Sequence, residues 1–407
     1  MNKVLKAIEA FSLMKAAIFT PVGNLTGGNY RVVNVLRFFP RGKYMLLMPR
    51  NKKYAFIDVL TRFGGKPDTL LGIISDAYEL RDYYCKDVPC HIKYGYYVGR
   101  VVKELGADIL YFPHEHAYLP LGFKASNTKW TELLQLTPVI GSLTVEEGSG
   151  FSLFMKNLRV NFNYGFFKIL KGYIRFRLFT LAVRNTPVLA VSKSIPYELE
   201  RLGVKVDVRV IDPGVGVDPC PFGGLDGVFD VTFFARVTPE KGVFDFLRVV
   251  ANLVRWRRGI RALVMGFAGD EMAVRVREMA GELGIAGNVE FRFNAPRDEA
   301  MRLLAQSKLV IYPTRLDAFP LSVLEALSCG TPVIAYAIPA IRFNYADTRA
   351  VIKTKPLDIE EMTRMAIETL EGEAWRELGR EAVEFAKKYT WENVAKTEWD
   401  TLQSIMQ

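Results

Sequence analysis

KLVIYPTRLDAFPLSVLEALSCGTPVIAY, residues 308–336, decides how this chain folds. KLVIYPT is a short apolar run suited to a buried strand, PLSVLEALSC spaces its apolar residues for a helix, and TPVIAY is apolar again. A strand, a helix of about ten residues and a second strand make one βαβ unit, the building block of parallel sheets. Working back from it, FDVTFFARV, ALVMGF and NVEFRFN read as strands. Between them lie KGVFDFLRVVANLVRW, with Phe244, Leu247, Val250 and Val254 on one helical face, the segment 271–283, and PRDEAMRLLAQS. The first half repeats this grammar less regularly. MKAAIFT, YMLLMP, DILYFP, TPVIGSL and PVLAVS are its expected strands.

At 407 residues the chain is too long for one ordinary core. Two α/β domains are expected, 1–205 and 206–385, joined where Pro213, Gly214, Pro219, Pro221, Gly223 and Gly224 cluster. From about Ala374 the chain reads as helix, and WENVAKTEWDTLQSIM is an amphipathic stretch that needs an apolar surface. No segment supplies the roughly 20 uninterrupted apolar residues that cross a bilayer. The start lacks a secretory cleavage site, which leads to a cytoplasmic expectation, and Met14 is an alternative first residue to Met1. Four cysteines, Cys85, Cys90, Cys220 and Cys329, are too few and scattered for a disulfide scaffold or a zinc site, with Cys85–Cys90 the one pairing entertained. Few histidines and many arginines lean towards a thermophile.

The net charge of +10 is uneven. Residues 151–185 hold seven cations (Lys156, Arg159, Lys168, Lys171, Arg175, Arg177 and Arg184) and no acid, interleaved with nine aromatic residues. A solvated helix face would explain the charge alone. The aromatic interleaving suits an anionic membrane surface, with Lys168, Lys171 and Arg175 as candidate contacts. No nucleic-acid module accompanies the patch, so nucleic acid is not an expected partner.

Ligands of open parallel sheets sit beyond the C-terminal ends of the strands. Four such loops carry unusual residues. PVGNLTGG, 21–28, brings Gly27 and Gly28, where backbone can approach an anion near a helix N-terminus. ARVTPEKG, 235–242, brings Arg236 and Lys241, a fork and a point charge suited to a pyrophosphate. DAFPLSVLE places Asp317 before a helix, Pro320 at its first position and Glu325 inside it, with the amides of Leu321 and Ser322 free for a phosphate or sugar oxygen. DILYFPHEHAYLP, 108–120, carries two of the three histidines, His114 and His116, without a third metal ligand.

Together these stretches resemble the retaining nucleotide-sugar glycosyltransferases of family four, which have the GT-B fold. FFARVTPEKGVFDFL is similar to that family's strand with Arg and Lys, and DAFPLSVLEALSCGTPVIAY to its acid–seven residues–acid motif. AVSKSIPYELERLGVKVDVRVIDPGVGVD resembles its approach to the linker. WENVAKTEW resembles its C-terminal helix, so 386–407 is expected to return to the first domain. The resemblance implies an α/β GT-B fold, two Rossmann-like domains facing a central cleft. It implies that Arg236 and Lys241 neutralise the donor diphosphate and that Glu325 holds the ribose. Asp317 and the amides of Phe319, Leu321 and Ser322 would contact sugar and phosphate, Gly27 and Gly28 would approach the phosphate, and His114 would touch the transferred sugar. The reaction implied is sugar transfer from a nucleotide-diphosphate sugar to a hydroxyl acceptor with retention, needing no metal or cofactor. A lipid or lipid-linked glycan at the inner face of the cell membrane is the acceptor candidate. The sequence departs from the pattern at Asp317, where Glu is usual, at Thr144, where many members have His, and in AYAIPAIR, which lacks a frequent Gly-Gly. The rival readings are a sugar-nucleotide epimerase or a phosphorylase on the same fold, and a non-catalytic polyanion- or membrane-binding protein.

Overall fold

The computed structural model describes residues 16–21, 27–53, 77–222 and 227–406. Met1, Met14, most of the 21–28 loop and the Gly223–Gly224 pair lie outside them. The first half runs β1 (Ala16–Phe19), α1 (Gly27–Leu36), β2 (Tyr44–Pro49), β3 (Tyr78–Leu80), α2 (Val88–Glu104), β4 (Ile109–Phe112), α3 (Leu119–Ala125), β5 (Trp130–Leu134), α4 (Gly150–Phe162), α5 (Phe166–Val183), β6 (Val188–Ala190), α6 (Ser194–Arg201) and β7 (Val208–Val210). Its strands form one parallel sheet in the order β3-β2-β1-β4-β5-β6-β7. β1, β4 and β5 are buried along their whole length, because helices cover both faces of a parallel sheet.

The second half runs β8 (Val231–Phe234), α7 (Val243–Trp256), β9 (Ala262–Gly266), α8 (Asp270–Glu282), β10 (Val289–Phe293), α9 (Arg297–Ala305), β11 (Val310–Tyr312), α10 (Leu321–Ser328), β12 (Val333–Tyr336), α11 (Pro339–Asn344), β13 (Val351–Thr354), α12 (Ile359–Glu371), α13 (Ala374–Ala386) and α14 (Trp391–Met406). Its sheet is ordered β10-β9-β8-β11-β12-β13, again parallel. Both sheets are doubly wound, and the winding reverses between β1 and β4 in one and between β8 and β11 in the other. These two switch points are where such sheets open crevices at the C-terminal strand ends.

α14 packs on α1 of the first half. Trp391 and Trp399 supply the apolar contact, with ring centroids 5.5 Å from Tyr30 and 5.2 Å from Phe39. A buried polar strut sets the register: Glu398 accepts from Arg31 at 2.5 Å and from the Tyr111 hydroxyl at 2.6 Å. Removing one partner of such a buried pair costs about 3–5 kcal/mol, because the other charge is left uncompensated. The linker runs beside the returning chain, with Val217 N–H donating to the Tyr389 carbonyl at 2.7 Å. Gly214 faces the Val191 carbonyl so closely that any Cβ there would overlap it.

Four expectations are corrected. TPVIGSL is not a strand; WTELL takes that slot, and Val139 and Gly141, with φ of 73° and 78°, turn the chain back on itself. The first sheet continues past 205, since β7 pairs with β6 through Val210. Pro320 caps α10 from outside rather than standing first within it. The cysteines are all paired, Cys85 with Cys90 and Cys220 with Cys329, so the linker is bonded to the C-terminal end of α10.

Candidate active site

At the β8/β11 switch point the loops after the two strands meet. Arg236 leaves β8 on an exposed backbone and finds no partner for its guanidinium among the described residues. Lys241 closes a single 3-10 turn, Pro239–Lys241, and Gly242 at φ 82° redirects the chain into α7. Lys241 is buried instead of opening the helix into solvent. Its ammonium donates to Asp317 Oδ2 at 2.6 Å and to the Leu316 carbonyl at 2.7 Å. Asp317 Oδ2 also accepts the Tyr312 hydroxyl at 2.8 Å, and Oδ1 accepts the Ala318 amide at 3.0 Å. Asp317 is engaged on both oxygens, and its role in this structure is to hold Lys241 in place. The carboxylate beside the Tyr312 hydroxyl, together with burial, pushes that phenol far above its usual range.

α10 follows directly. The amides of Phe319, Leu321 and Ser322 donate to no acceptor among the described residues, as expected of a helix start. The Phe319 ring itself packs against Tyr345 and Tyr389. Glu325, buried one turn in, accepts Arg297 Nη1 on Oε1 at 2.5 Å. Arg297, the first residue of α9, stacks 5.0 Å from the Tyr30 ring centroid and stands 3.9 Å from Asp218, which accepts the Tyr30 hydroxyl at 2.9 Å.

The β1/β4 switch point is built differently. His114 Nε2 is 3.1 Å from Thr20 Oγ1, at the end of β1. Burial and the nearby Arg31 pull its pKa to about 4, so the ring is neutral near pH 7. His116 turns away from it to cap α3, accepting the amides of Tyr118 and Leu119 at 3.1 Å. Burial lifts Glu115 to about 7 and holds Glu132 protonated far above the carboxylate range. Gly27 and Gly28 sit in the first turn of α1 and not in a loop. A Cβ at Gly27 would meet open space, whereas one at Gly28 would press on the Gln135 side-chain amide, which would have to shift. Among the described residues no three His, Cys, Asp or Glu side chains gather as a metal site.

The two crevices face each other across a closed seam. Ser142 and Thr144 donate to the Arg315 carbonyl at 2.9 and 2.7 Å, immediately before Asp317. Thr144, which stands where a histidine was expected of the resemblance, thus serves as a bridge between the halves. The turn holding these residues rests on buried Glu198, which accepts Leu143 N–H at 3.0 Å and the Thr137 hydroxyl, and which burial raises to about 8. Lys168 and Lys171 occupy exposed positions of α5, and exposed Arg175 stands over the Tyr118 ring at 5.7 Å, beside the loop that carries His114 and His116. Sequence reasoning missed Arg297, Tyr30, Asp218 and Gln135. Arg297 follows Pro296 at a helix start, a recognisable position, but its partners lie 28, 79 and 267 residues away.

Two facing Rossmann-like sheets with a helix returning from the second to the first are the GT-B architecture of sugar-transferring enzymes. Sucrose-phosphate synthase from Thermosynechococcus elongatus superimposes with a TM-score of 0.71 over 96% of this chain and 99% of that one, at 15% identity. Anabaena HepE in complex with UDP-glucose does so at 0.63 over 96% and 99%, at 16% identity. At such identities the likeness is one of fold. Residues 225–389 match the family described as glycosyl transferases group 1. D-inositol 3-phosphate glycosyltransferases are curated relatives. The one from Mycolicibacterium smegmatis is 30% identical over 45% of this chain and 44% of its own length. The one from Segniliparus rotundus is 28% identical over 49% and 45%. The chain thus spans less than half the length of these relatives.

Proposed function

We propose that this protein transfers a sugar from a nucleotide-diphosphate sugar to a hydroxyl acceptor with retention of configuration. The observation that carries the reading is the β8/β11 crevice, where an unpartnered Arg236, a buried Lys241 held by Asp317 and three unused amides converge. Breaking the bond between the sugar's anomeric carbon and the diphosphate oxygen leaves negative charge on that oxygen. The free amides of Phe319, Leu321 and Ser322 meet this charge from a fixed backbone, and the exposed Arg236 guanidinium folds onto it. Lys241 adds a fixed positive field, and Glu325 accepts from the ribose hydroxyls. Asp317 is engaged on both oxygens, so it is poorly placed as a nucleophile. This favours a path in which the leaving diphosphate takes the acceptor's proton as the new glycosidic bond forms on the same face. Neutral His114 at the opposite switch point donates to or accepts from a hydroxyl of the transferred sugar. Protein cations and amide dipoles supply the electrophilic assistance, so the reading requires no metal and turnover persists in EDTA.

The acceptor is a lipid or lipid-linked glycan at an anionic membrane surface, with the protein bound peripherally on the cytoplasmic side. Phe166, Phe167, Leu170, Ile174 and Leu181 are all exposed and fall along one stripe of α5. Lys171 and Arg175 lie beyond one edge of the stripe, Lys168 further round and Arg177 within it, with no acid in the helix, a cationic and apolar surface suited to an anionic interface. No helix among the described residues is long and apolar enough to cross a membrane.

The test is a panel of UDP-, GDP- and ADP-sugars with vesicle-borne acceptors, following nucleoside diphosphate release and the anomeric configuration of the product. One panel member should give transfer with retention. Interconversion of the donor without acceptor would replace the reading by an epimerase. Sugar-phosphate formation from a glucan and inorganic phosphate would replace it by a phosphorylase, and binding without turnover by a non-catalytic protein.

A further inference from the structure

Resting on that reading, we propose that Arg297 is a positioning residue for donor binding: it fixes the carboxylate that receives the ribose and ties it to the first domain through Tyr30 and Asp218. Glu325 is almost wholly buried, and a carboxylate there without a partner would bear the full desolvation penalty. Arg297 supplies that partner and sets its orientation. Its Nη1 takes Oε1 at 2.5 Å, which leaves Oε2 without a protein partner among the described residues and therefore open to a ribose hydroxyl.

Arg297 does not act within one domain. Its guanidinium lies over the ring of Tyr30 on α1, and Asp218 of the linker accepts the Tyr30 hydroxyl while standing within ion-pair range of Arg297. Four side chains from α1, the linker, α9 and α10 thus form one connected clasp across the domain seam. Burial and the Asp218 carboxylate drive the Tyr30 phenol well above its normal range, so it stays a hydrogen-bond donor at every working pH. Tyr30 presents an aromatic face and a donated hydroxyl, which together constrain the guanidinium plane more tightly than a single ion pair could. The consequence is that the geometry of the ribose site depends on the domains being closed. A donor that fills Oε2 favours the closed form by the same free energy that closure lends to the donor.

The experiment is titration calorimetry of the full chain with the nucleoside diphosphate of the accepted donor and with its 2′-deoxy and 3′-deoxy analogues. Wild type should prefer at least one ribose form over its deoxy form by about tenfold. Arg297→Ala should reduce that preference to about twofold while the diphosphate contacts keep binding measurable, and Arg297→Lys should restore part of it. Tyr30→Phe should weaken binding about threefold in wild type and have no effect in the Arg297→Ala background. A preference unchanged in both Arg297 variants, or a Tyr30→Phe effect that persists without Arg297, overturns the proposal. Failure of wild type to bind any of UDP, GDP or ADP would instead remove the nucleotide-sugar reading itself. Thermal midpoints separate either result from unfolding, and Arg297→Lys keeps the question answerable if Arg297→Ala does not fold.

Discussion

The acids of the two halves are managed in opposite ways. In the second half each acid discussed meets a cation: half-buried Asp317 meets Lys241, buried Glu325 meets Arg297, and buried Asp245 accepts Arg315 at 2.7 Å and Arg248 at 2.9 Å. In the first half buried Glu132 and Glu198 and half-buried Glu115 have no ion pair, and desolvation raises the pKa of each. On the proposed reading, a diphosphate would be met by charges already fixed in position, with Arg236 left over for it, and a hydroxyl acceptor and a sugar by neutral groups that can both donate and accept.

Asp317→Ala breaks this contrast most severely, because it strands the Lys241 ammonium. It should lower stability by about 3–5 kcal/mol in denaturant unfolding. By contrast Glu132→Gln, a neutral copy of an acid already protonated, should cost less than about 1 kcal/mol. Equal losses in the two variants would erase the distinction between the halves. Arg236→Ala comes next and should leave the fold intact while cutting turnover about 10²–10³-fold, read as nucleoside diphosphate release. Changing Lys168, Lys171 and Arg175 together to Gln should weaken sedimentation with anionic vesicles about 100-fold, at about 1 kcal/mol per charge near the surface. The same number of changes at Arg364, Arg376 and Lys396 in surface ion pairs should leave it unaltered. The last effect concerns pH. Glu198 titrates near 8 folded against 4.5 unfolded, so the folded chain holds a proton that the unfolded chain releases, and stability falls as pH rises across that window. Glu198→Gln should match wild type at pH 5 and melt higher at pH 9, with the slope between them flattened by up to about 1.4 kcal/mol per pH unit.

The second half was largely legible in the sequence because its parts are local. Strand, turn and helix follow one another, and the residues of its crevice fall in two short loops, 235–242 and 313–325. The first half resisted for two physical reasons. Its strand WTELL carries a buried Glu132, which breaks the apolar run that periodicity looks for, whereas the apolar TPVIGSL is a turn fixed by two positive φ angles. What joins the halves was illegible for a different reason. Arg31 and Glu398 are 367 residues apart, Cys220 and Cys329 are 109 apart, and Tyr30 and Arg297 come from different domains. Such pairings exist only once two separately folded surfaces meet, and no local pattern encodes them. The Asp317 question was half answered: its position was readable, but its commitment to Lys241 was not.

The linker and the returning chain cross between the halves side by side, hydrogen-bonded from Val217 to Tyr389, and the Cys220–Cys329 bond anchors the linker just beyond that crossing. Mechanically this is a butt hinge with two leaves on one pin. Rotation about the crossing is soft, while sliding and twisting would stretch one strand against the other. A rotation of the halves about this crossing would return Tyr30 to Arg297 and Thr144 to the Arg315 carbonyl in register, so accuracy at the seam would be inherited from the hinge.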